Sequence, residues 1–343
     1  MSRALPRPLR RERFSLRAMG SPCEIQLYTP KRTDAERVAR LCVKELERLE
    51  AKYSRYRTDS LASRINDSAG NEQGVEVDEE TAALLNFAET AYRESEGRFD
   101  PTSGVLRRVW DFKSGRLPSP SALVEVCELV GWHKIVWNKP KFILPQPGMQ
   151  LDFGGFVKEY AADRLAELCR ENGVHSGMID LGGDLAVIGP HPDGSPWWIG
   201  IRNPRSPSEA IARIALESGG LATSGDYERF MIVDGERYSH LLDPRTGESF
   251  RGGPACVSVT APHCLVAGVS ATIAMLHAET EAKGFLERVA LPHLVVSSSG
   301  EISGSARAVS AADSGQSDTS PGRPLASGMR GKNDEVGFPA LLP

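Results

Sequence analysis

The chain has 343 residues, of which 40% are hydrophobic and 25% are charged, and its formal net charge is -4. This composition is typical of a globular protein with one large domain or two ordinary ones. The slightly acidic balance gives no basic field, so we expect no nucleic-acid partner. No segment approaches the ~20 uncharged apolar residues of a membrane span, so we expect no integral membrane segment.

The six cysteines are scattered without a CxxC pair, which favours reduced, buried thiols and a cytoplasmic location rather than a zinc site. Residues 1–12 are rich in arginine and are predicted to form a basic flexible arm, for which contact with a membrane surface or with nucleic acid is the weaker alternative. Arg10-Arg11 is not followed by the apolar stretch of an export signal, and Cys23 lies inside the first predicted strand rather than in a lipobox.

In the first half of the chain, helical patterns dominate. Residues 14–28 alternate enough for one strand, interrupted at Met19-Gly-Ser-Pro22. Asp78 has the position of an N-cap, with two glutamates in the turn that follows. The predicted helices are residues 33–53, a short helix that follows the capped turn near 59–65, residues 78–94 and residues 158–172.

In the second half, strand patterns come in a run. They occupy residues 176–179, 185–188, 197–201, 211–216, 255–259 and 293–297, with an apolar helix at 265–276. Strands in a run with helices before and after them favour an α+β fold over regular βαβ winding. We expect one α+β domain at 13–303, arranged as two lobes, and a disordered Ser/Gly/Pro-rich tail at 304–343.

Two polar segments flank a predicted hairpin. They are Thr223-Ser-Gly-Asp-Tyr227 and Tyr238-Ser-His-Leu-Leu-Asp-Pro-Arg-Thr-Gly247, and the Asp234-Gly235 turn dipeptide lies between them. We therefore predict two loops of reactive groups at the open end of one hairpin. A histidine bonded to the nearby Asp243 is the plain structural alternative for His240.

Two glycine-rich segments are weaker signals. Asp180-Leu-Gly-Gly-Asp184 follows an apolar strand, and Asp152-Phe-Gly-Gly-Phe-Val-Lys158 leads into a helix whose first amides could bind a phosphate. On spacing alone, a tight turn and an ordinary helix start are the favoured interpretations. Neither segment is a GxGxxG or a Walker A motif.

The order of these motifs is more specific than any one of them. Ala18-Met-Gly-Ser21, Tyr53-Ser-Arg-Tyr56, Phe99-Asp-Pro-Thr102, the Lys158 segment with Asp163, the Asp180 segment, Thr223–Tyr227 and His240-Leu-Leu-Asp-Pro-Arg-Thr-Gly247 occur in that order. Over residues 14–300 the chain thereby resembles the ApbE family of FAD:protein FMN transferases.

The resemblance implies a magnesium-dependent enzyme that splits FAD, attaches FMN to a threonine hydroxyl of an acceptor flavoprotein subunit and releases AMP. It implies His240 as the base, Asp243 as the group that orients it, Lys158 on the pyrophosphate, and Val157 (by its carbonyl) with Thr272 on the metal. The flavin-binding residues that it implies are Met19, Tyr56, Asp100, Gly154, Gly155, Lys158, Asp180, Gly182, Gly183, Thr223, Ser224, Gly225, Asp226, Tyr227 and His240.

The chain departs from the family at the metal. Gly268 stands where the family has a ligating Asp, Glu159 stands where it usually has Gly, and Gly154 where it often has Ser. Three functions stay open: the transferase, an FAD-binding paralogue with little activity, and a hydrolase of FAD to FMN and AMP. Restoring the carboxylate with Gly268→Asp is expected to raise magnesium-dependent activity. The residues name no particular acceptor and fix no oligomeric state.

Overall fold

The computed structural model describes residues 8–206 and 208–310. In chain order its strands are β1 (Arg10–Ala18), β2 (Ser21–Thr29), β3 (Val75–Glu76), β4 (Val136–Asn138), β5 (Lys141–Ile143), β6 (Gly177–Leu181), β7 (Asp184–Gly189), β8 (Trp197–Arg202), β9 (Ala210–Leu216), β10 (Gly219–Gly225), β11 (Phe230–Val233), β12 (Glu236–Ser239), β13 (Cys256–Ala261), β14 (His293–Val296), β15 (Ile302–Gly304) and β16 (Ala308–Ser310). Its helices are α1 (Arg32–Tyr53), α2 (Leu61–Asp67), α3 (Glu79–Glu94), α4 (Pro120–Cys127), α5 (Val157–Glu171), α6 (Cys264–Met275) and α7 (Glu279–Arg288), with 3₁₀ turns at Pro101–Arg108, Trp132–Lys134 and Phe153–Gly155.

The main sheet has eight strands in the order β1-β2-β6-β7-β10-β13-β14-β15. Every neighbouring pair in it is antiparallel. The β2–β6 pair joins the N-terminal hairpin to the centre of the sheet. The predicted α+β class is confirmed, because the helices are grouped outside this sheet and do not wind between parallel strands.

Both faces of the main sheet are covered. Helices α1, α5 and α6 pack on one face, where Ile179 and Ala186 point, while β8 and β9 cover the other, where Met178 and Leu185 point. Strand β7 is therefore buried along its whole length and has an unbroken apolar stretch rather than alternation. Helix α5 lies directly over β6 and β7, which fixes where its first turn meets the sheet.

Two tight turns lie at the same end of neighbouring strands. Met19 and Gly20 join β1 to β2 with φ of 49° and 75°, and Gly182 and Gly183 join β6 to β7 with φ of 68° and 95°. Positive φ at both central residues is the type I′ geometry that suits the twist of a hairpin. The single interrupted strand predicted at 14–28 is therefore wrong in one respect: it is two strands, β1 and β2.

A smaller apolar cluster forms the second lobe. The hairpin β11–β12 packs through Met231 on the 3₁₀ turn Pro101–Arg108 and on α4. Its turn residues Asp234 and Gly235 have φ of 52° and 82°, as the dipeptide predicts. The hairpin is a separate two-stranded sheet, so its open end can approach the main sheet without joining it.

The sequence prediction succeeds where one local signal dominates. Helix α1 follows its apolar stripe, and the Asp78 carboxylate accepts a hydrogen bond from Thr81 N at the start of α3, as predicted. The elements that it misses are α4, α7, β3, β4, β5, β10 and β15. Strand β16 lies past the expected boundary at 303 and pairs with β9. Residues 1–7 of the expected arm and 311–343 of the expected tail lie outside the described residues.

Within the described ranges, none of the helices combines the length and the apolar character that crossing a membrane would require.

Candidate functional site

Lys158 lies in the first turn of α5 and points toward the two glycines between β6 and β7. Its Nζ is 2.8 Å from Oδ2 of Asp184, which is buried, and a Cβ added to Gly182 would lie 3.5 Å from Nζ. Burial disfavours the charged ammonium, but the carboxylates of Asp184 and Glu159 outweigh it and raise the pKa of Lys158. The lysine is therefore a fixed cation at the end of the main sheet.

The Gly182-Gly183 turn leaves open space near that cation. A side chain at Gly182 would meet Cβ of Ser21 at 2.6 Å, whereas Gly183 faces open space. Oδ1 of Asp180 accepts a hydrogen bond from Gly183 N at 2.8 Å, and burial raises the pKa of Asp180 to about 6. Asp180 therefore shapes the turn, and the turn brings Ser21 beside Lys158.

A second set of backbone donors precedes α5. Asp152 accepts a hydrogen bond from Gly154 N through Oδ1 and pairs with Arg55 through Oδ2, both at 2.8 Å. Gly154 and Gly155 are exposed. The Gly154 amide is thus used by Asp152, while the exposed Gly155 and the positive end of a helix of 15 residues favour an anionic group there.

The Thr223-Ser-Gly part of the first polar segment is not a loop. Thr223, Ser224 and Gly225 are the last residues of β10, in the middle of the main sheet, which corrects the prediction of a loop at the hairpin. Oγ1 of Thr223 lies 2.7 Å from Oγ of Ser258 on β13. Hydroxyls on these strands satisfy each other across the ladder, a pattern that local polarity alone does not distinguish from a loop.

The loop from β10 to β11 does lie at the open end of the hairpin. Asp226 there is held by Arg205 through two hydrogen bonds of 2.8 and 3.1 Å, and Tyr227 packs on the apolar layer beneath the sheet. Glu228 is close enough to raise the pKa of Lys158. The loop therefore connects the hairpin with the lysine.

His240 follows β12 directly. Its backbone N donates to the Arg229 carbonyl at 2.9 Å, and its Nδ1 lies 3.2 Å from the same oxygen. A carbonyl oxygen only accepts, so Nδ1 carries the proton and Nε2 keeps its lone pair. Burial lowers the pKa of His240 to about 4, and the charges of Arg107 and Arg229 add to this effect. The imidazole is neutral near pH 7 and suited to accept a proton.

Asp243 does not orient this imidazole, contrary to the prediction. Its carboxylate accepts three hydrogen bonds from Arg245, from the backbone N at 2.9 Å, from Nε at 2.9 Å and from the terminal nitrogen at 2.7 Å. It closes the Asp-Pro-Arg-Thr-Gly turn, whose Gly247 N donates to the Asp243 carbonyl at 2.7 Å. The orienting role belongs to the carbonyl of Arg229, which no motif signalled.

Arg107 connects the hairpin side of the site with α5. It lies on the 3₁₀ turn Pro101–Arg108, its Nε is 4.0 Å from Oδ2 of Asp152, and its charge lowers the pKa of His240. Arg107 is therefore near both Asp152, which precedes α5, and His240. The sequence reasoning missed Arg107, and only its place after the Asp-Pro-Thr segment could have suggested it.

Three predicted residues are placed less directly. Tyr56 is 81% exposed on the segment between α1 and α2. The buried carboxylate of Asp100 is used by Thr102 and by Trp132 N, so it organises its own turn. Met19 has positive φ and its N donates to Oε2 of Glu50 at 3.1 Å, which places it in the turn near Ser21 and Gly182.

The expected metal corner lies between α5 and α6. Val157 begins α5, and Thr272 lies on α6 one turn after Gly268. The part of the chain that the structure describes holds no cluster of three or more His, Cys, Asp or Glu side chains suited to a metal. Magnesium needs only one or two protein carboxylates, because water and phosphate oxygens complete its shell. Glu159, in the first turn of α5, is the buried carboxylate that faces Gly268.

Comparisons with known proteins agree with this architecture. The model of the ApbE family matches residues 19–295. The FAD:protein FMN transferase of Haemophilus influenzae is 31% identical over 232 residues, which cover 65% of this chain and 67% of that protein. The protein of the same name from Treponema pallidum is 32% identical over 274 residues, which cover 74% and 75%.

A solved structure gives the same result for the fold. The ApbE protein of Thermotoga maritima superposes with a TM-score of 0.79 at 30% identity, over 86% of this chain and 97% of that chain. Relatives of about 30% identity carry the name of a transferase, so the chain is a transferase enzyme. The chain belongs to the ApbE family.

Proposed function

We propose that the protein transfers the FMN half of FAD to the hydroxyl of a threonine on an acceptor flavoprotein subunit and releases AMP. The relatives named above carry the name of this reaction. The observation that carries the proposal for this chain is the contact of His240 Nδ1 with the Arg229 carbonyl, which leaves Nε2 as the nitrogen with the lone pair.

The residues divide the chemistry between them. Nε2 of His240 accepts the proton of the threonine hydroxyl, whose oxygen forms the new bond to the FMN phosphorus. The bond from that phosphorus to the bridging oxygen breaks, and the oxygen leaves with AMP. Positioning and charge neutralisation dominate such transfers. Lys158 and the amides before α5 are suited to hold the pyrophosphate, and the Gly182-Gly183 turn lets it approach the backbone closely.

We further propose that the reaction uses Mg²⁺, which would supply positive charge to the pyrophosphate oxygens. The residues present fit this ion, because the buried carboxylate of Glu159 faces Gly268 where α5 meets α6, and Val157 and Thr272 lie on these two helices. The cytoplasm is the proposed compartment. It is supported by the six cysteines, which all lie within the described residues and are free thiols.

The test is a transfer assay on the purified full chain. The protein is incubated with FAD, MgCl₂ and an acceptor protein that carries a flavinylation threonine. Chromatography follows AMP and free FMN, and in-gel fluorescence follows the acceptor. His240→Asn keeps an amide donor for the Arg229 carbonyl and removes the base, so the rate should fall at least ~100-fold.

His175→Asn is the matched control. His175 is exposed and precedes β6 at the end of the strand away from the Gly182 turn, so this variant should transfer at the wild-type rate. If AMP and free FMN form while the acceptor stays unlabelled, the protein is a hydrolase of FAD and not a transferase. FAD that stays bound and intact would leave a binding protein and contradict the proposal.

A further inference from the structure

Glu159 is a buried carboxylate with an oxygen that lacks a partner. Its side chain lies in the first turn of α5, and the residue is 9% exposed. Within the described residues, no hydrogen-bond donor reaches its Oε2, which is fully shielded from solvent. Leaving a buried carboxylate oxygen unpaired costs free energy, so such a group usually has a proton, a cation or another ligand to meet.

The carboxyl group of Glu159 fills the space in front of Gly268. A Cβ built on Gly268 would lie 2.6 Å from Cγ, 2.8 Å from Oε1 and 3.0 Å from Cδ of Glu159. An aspartate at 268 would place its own carboxyl carbon only ~1.5 Å beyond that Cβ. The two carboxylates would therefore occupy the same position. In this chain Glu159 on α5 supplies the carboxylate, and in a chain with aspartate at 268 it would come from α6.

The register of the two helices shows what surrounds this place. Asp163 accepts hydrogen bonds from Cys264 N at 2.7 Å and Leu265 N at 2.9 Å, which fixes the start of α6 against the middle of α5. Glu159 lies four residues before Asp163, and Gly268 lies four residues after Cys264, so the helices run antiparallel at this contact. One more turn brings Thr272 opposite the start of α5, where Val157 lies.

We propose that Glu159 is the carboxylate ligand of the divalent cation, in place of an acidic side chain at position 268, with Thr272 and the Val157 carbonyl beside it. This inference rests on the proposed magnesium-dependent function and names the residue that makes it possible in this chain. A single carboxylate with hydroxyl and carbonyl oxygens is a donor set typical of Mg²⁺, which completes its octahedron with water and phosphate oxygens.

The neighbouring charges favour a cation at this place. Lys158 precedes Glu159 on α5, but within the described residues its ammonium makes no hydrogen bond to Oε2 of Glu159. Lys158 is itself engaged by Asp184 at 2.8 Å, so its ammonium neutralises that carboxylate first. Oε2 of Glu159 is therefore left without a partner among the described residues, and a divalent cation would supply one.

The same contact changes the expected result of Gly268→Asp. A side chain at 268 would overlap Glu159, so this single substitution overpacks the α5–α6 contact and should not strengthen cation binding. The exchange Glu159→Gly with Gly268→Asp moves the carboxylate from α5 to α6 and keeps the volume. It should bind the cation within a few-fold of the wild type.

The experiment is a titration of the full chain with Mn²⁺, followed by the loss of the free-ion signal in electron paramagnetic resonance, with Mg²⁺ as competitor. Glu159→Gln is isosteric and should weaken Mn²⁺ binding at least tenfold. Glu167→Gln, an exposed position on the same helix, is the matched control and should bind as the wild type does. Circular dichroism confirms that each variant is folded.

The outcomes separate this inference from the function on which it rests. If Glu159→Gln and the wild type bind Mn²⁺ with equal affinity, the assignment of Glu159 as the cation ligand is overturned. It is also overturned if the wild type shows no Mn²⁺ site for which Mg²⁺ competes. Flavin transfer that persists in either case leaves the proposed function intact. Conversely, the protein could bind Mn²⁺ in a way that depends on Glu159 and yet transfer no flavin. This result would support Glu159 as the metal ligand and contradict the proposed reaction.

Discussion

The depressed pKa of His240 should be visible both in its titration and in the stability of the fold. An ordinary histidine has a pKa near 6.5, whereas burial lowers that of His240 to about 4. Between these two values the unfolded chain binds a proton that the folded chain does not. Stability is therefore complete above pH 6.5 and is lost as the pH falls toward 4, by up to about 3 kcal/mol from this residue.

The assay compares the wild type with His240→Asn. Urea unfolding at several pH values should show the wild type losing more free energy of unfolding than the variant between pH 6.5 and 4, by up to about 3 kcal/mol. Imidazole resonances of protein with ¹³C-labelled histidine report the pKa directly, and the resonance missing from the variant identifies His240. At pH 5.5 more than about nine-tenths of the imidazole should still be neutral, against about one-tenth at an ordinary pKa.

Titration of the identified resonance near 6.5 would refute the assignment of His240 as a half-buried neutral base. Parallel stability curves for the two proteins would refute it as well. In that case the free Nε2 would be protonated over much of the acid range, and transfer would fall already below pH 6.5. His175→Asn is again the control, since it changes an exposed imidazole.

Three further outcomes are expected. Lys158→Met leaves Asp184 buried without its cation, so the free energy of unfolding measured in urea should fall by on the order of 2 kcal/mol. Adding Asp184→Asn to this variant should restore the stability but not the transfer activity. Gly182→Ala places a methyl group against Ser21 at a residue with positive φ, so it should raise the KM for FAD and lower the free energy of unfolding by about 1 kcal/mol or more. Adding Ser21→Gly removes the steric clash but not the backbone strain, so it should restore only part of the lost stability. Asp243→Ala should lower the thermal midpoint while leaving the pH profile of transfer unchanged, because the carboxylate holds a turn rather than the imidazole; a shifted profile would reinstate its orienting role.

The fold was predictable where the signal is local. The apolar stripe of α1, the N-cap at Asp78 and the Asp234-Gly235 turn are each fixed by a few neighbouring residues, and each is found as expected. Strand β10 was missed because Gly219-Gly220 and Thr223-Ser-Gly225 have poor strand propensity. Pairing with β13 along six residues and with β7 outweighs that propensity.

The site was predictable as a set of residue types but not as a set of partners. His240 and Lys158 stand out in their segments, whereas the groups that set their chemistry lie elsewhere in the chain. The Arg229 carbonyl has no side-chain signal at all. Glu159 was noticed only as a departure, because its meaning depends on Gly268, which is more than a hundred residues away and becomes its neighbour only when α5 packs on α6.

The pairing of β2 with β6 has a consequence for how the chain acquires activity during synthesis. Residues of the N-terminal hairpin meet partners some 150 positions later, with Cys23 opposite Leu181, and the sheet closes only after β10, β13 and β14 have been made. Such long-range contacts form late, because the entropy cost of closing the loop must be met before the contacts can stabilise the chain. A nascent chain that ends before β13 should therefore fail to retain nucleotide, and ligand capture should mark the completion of folding rather than guide its early steps.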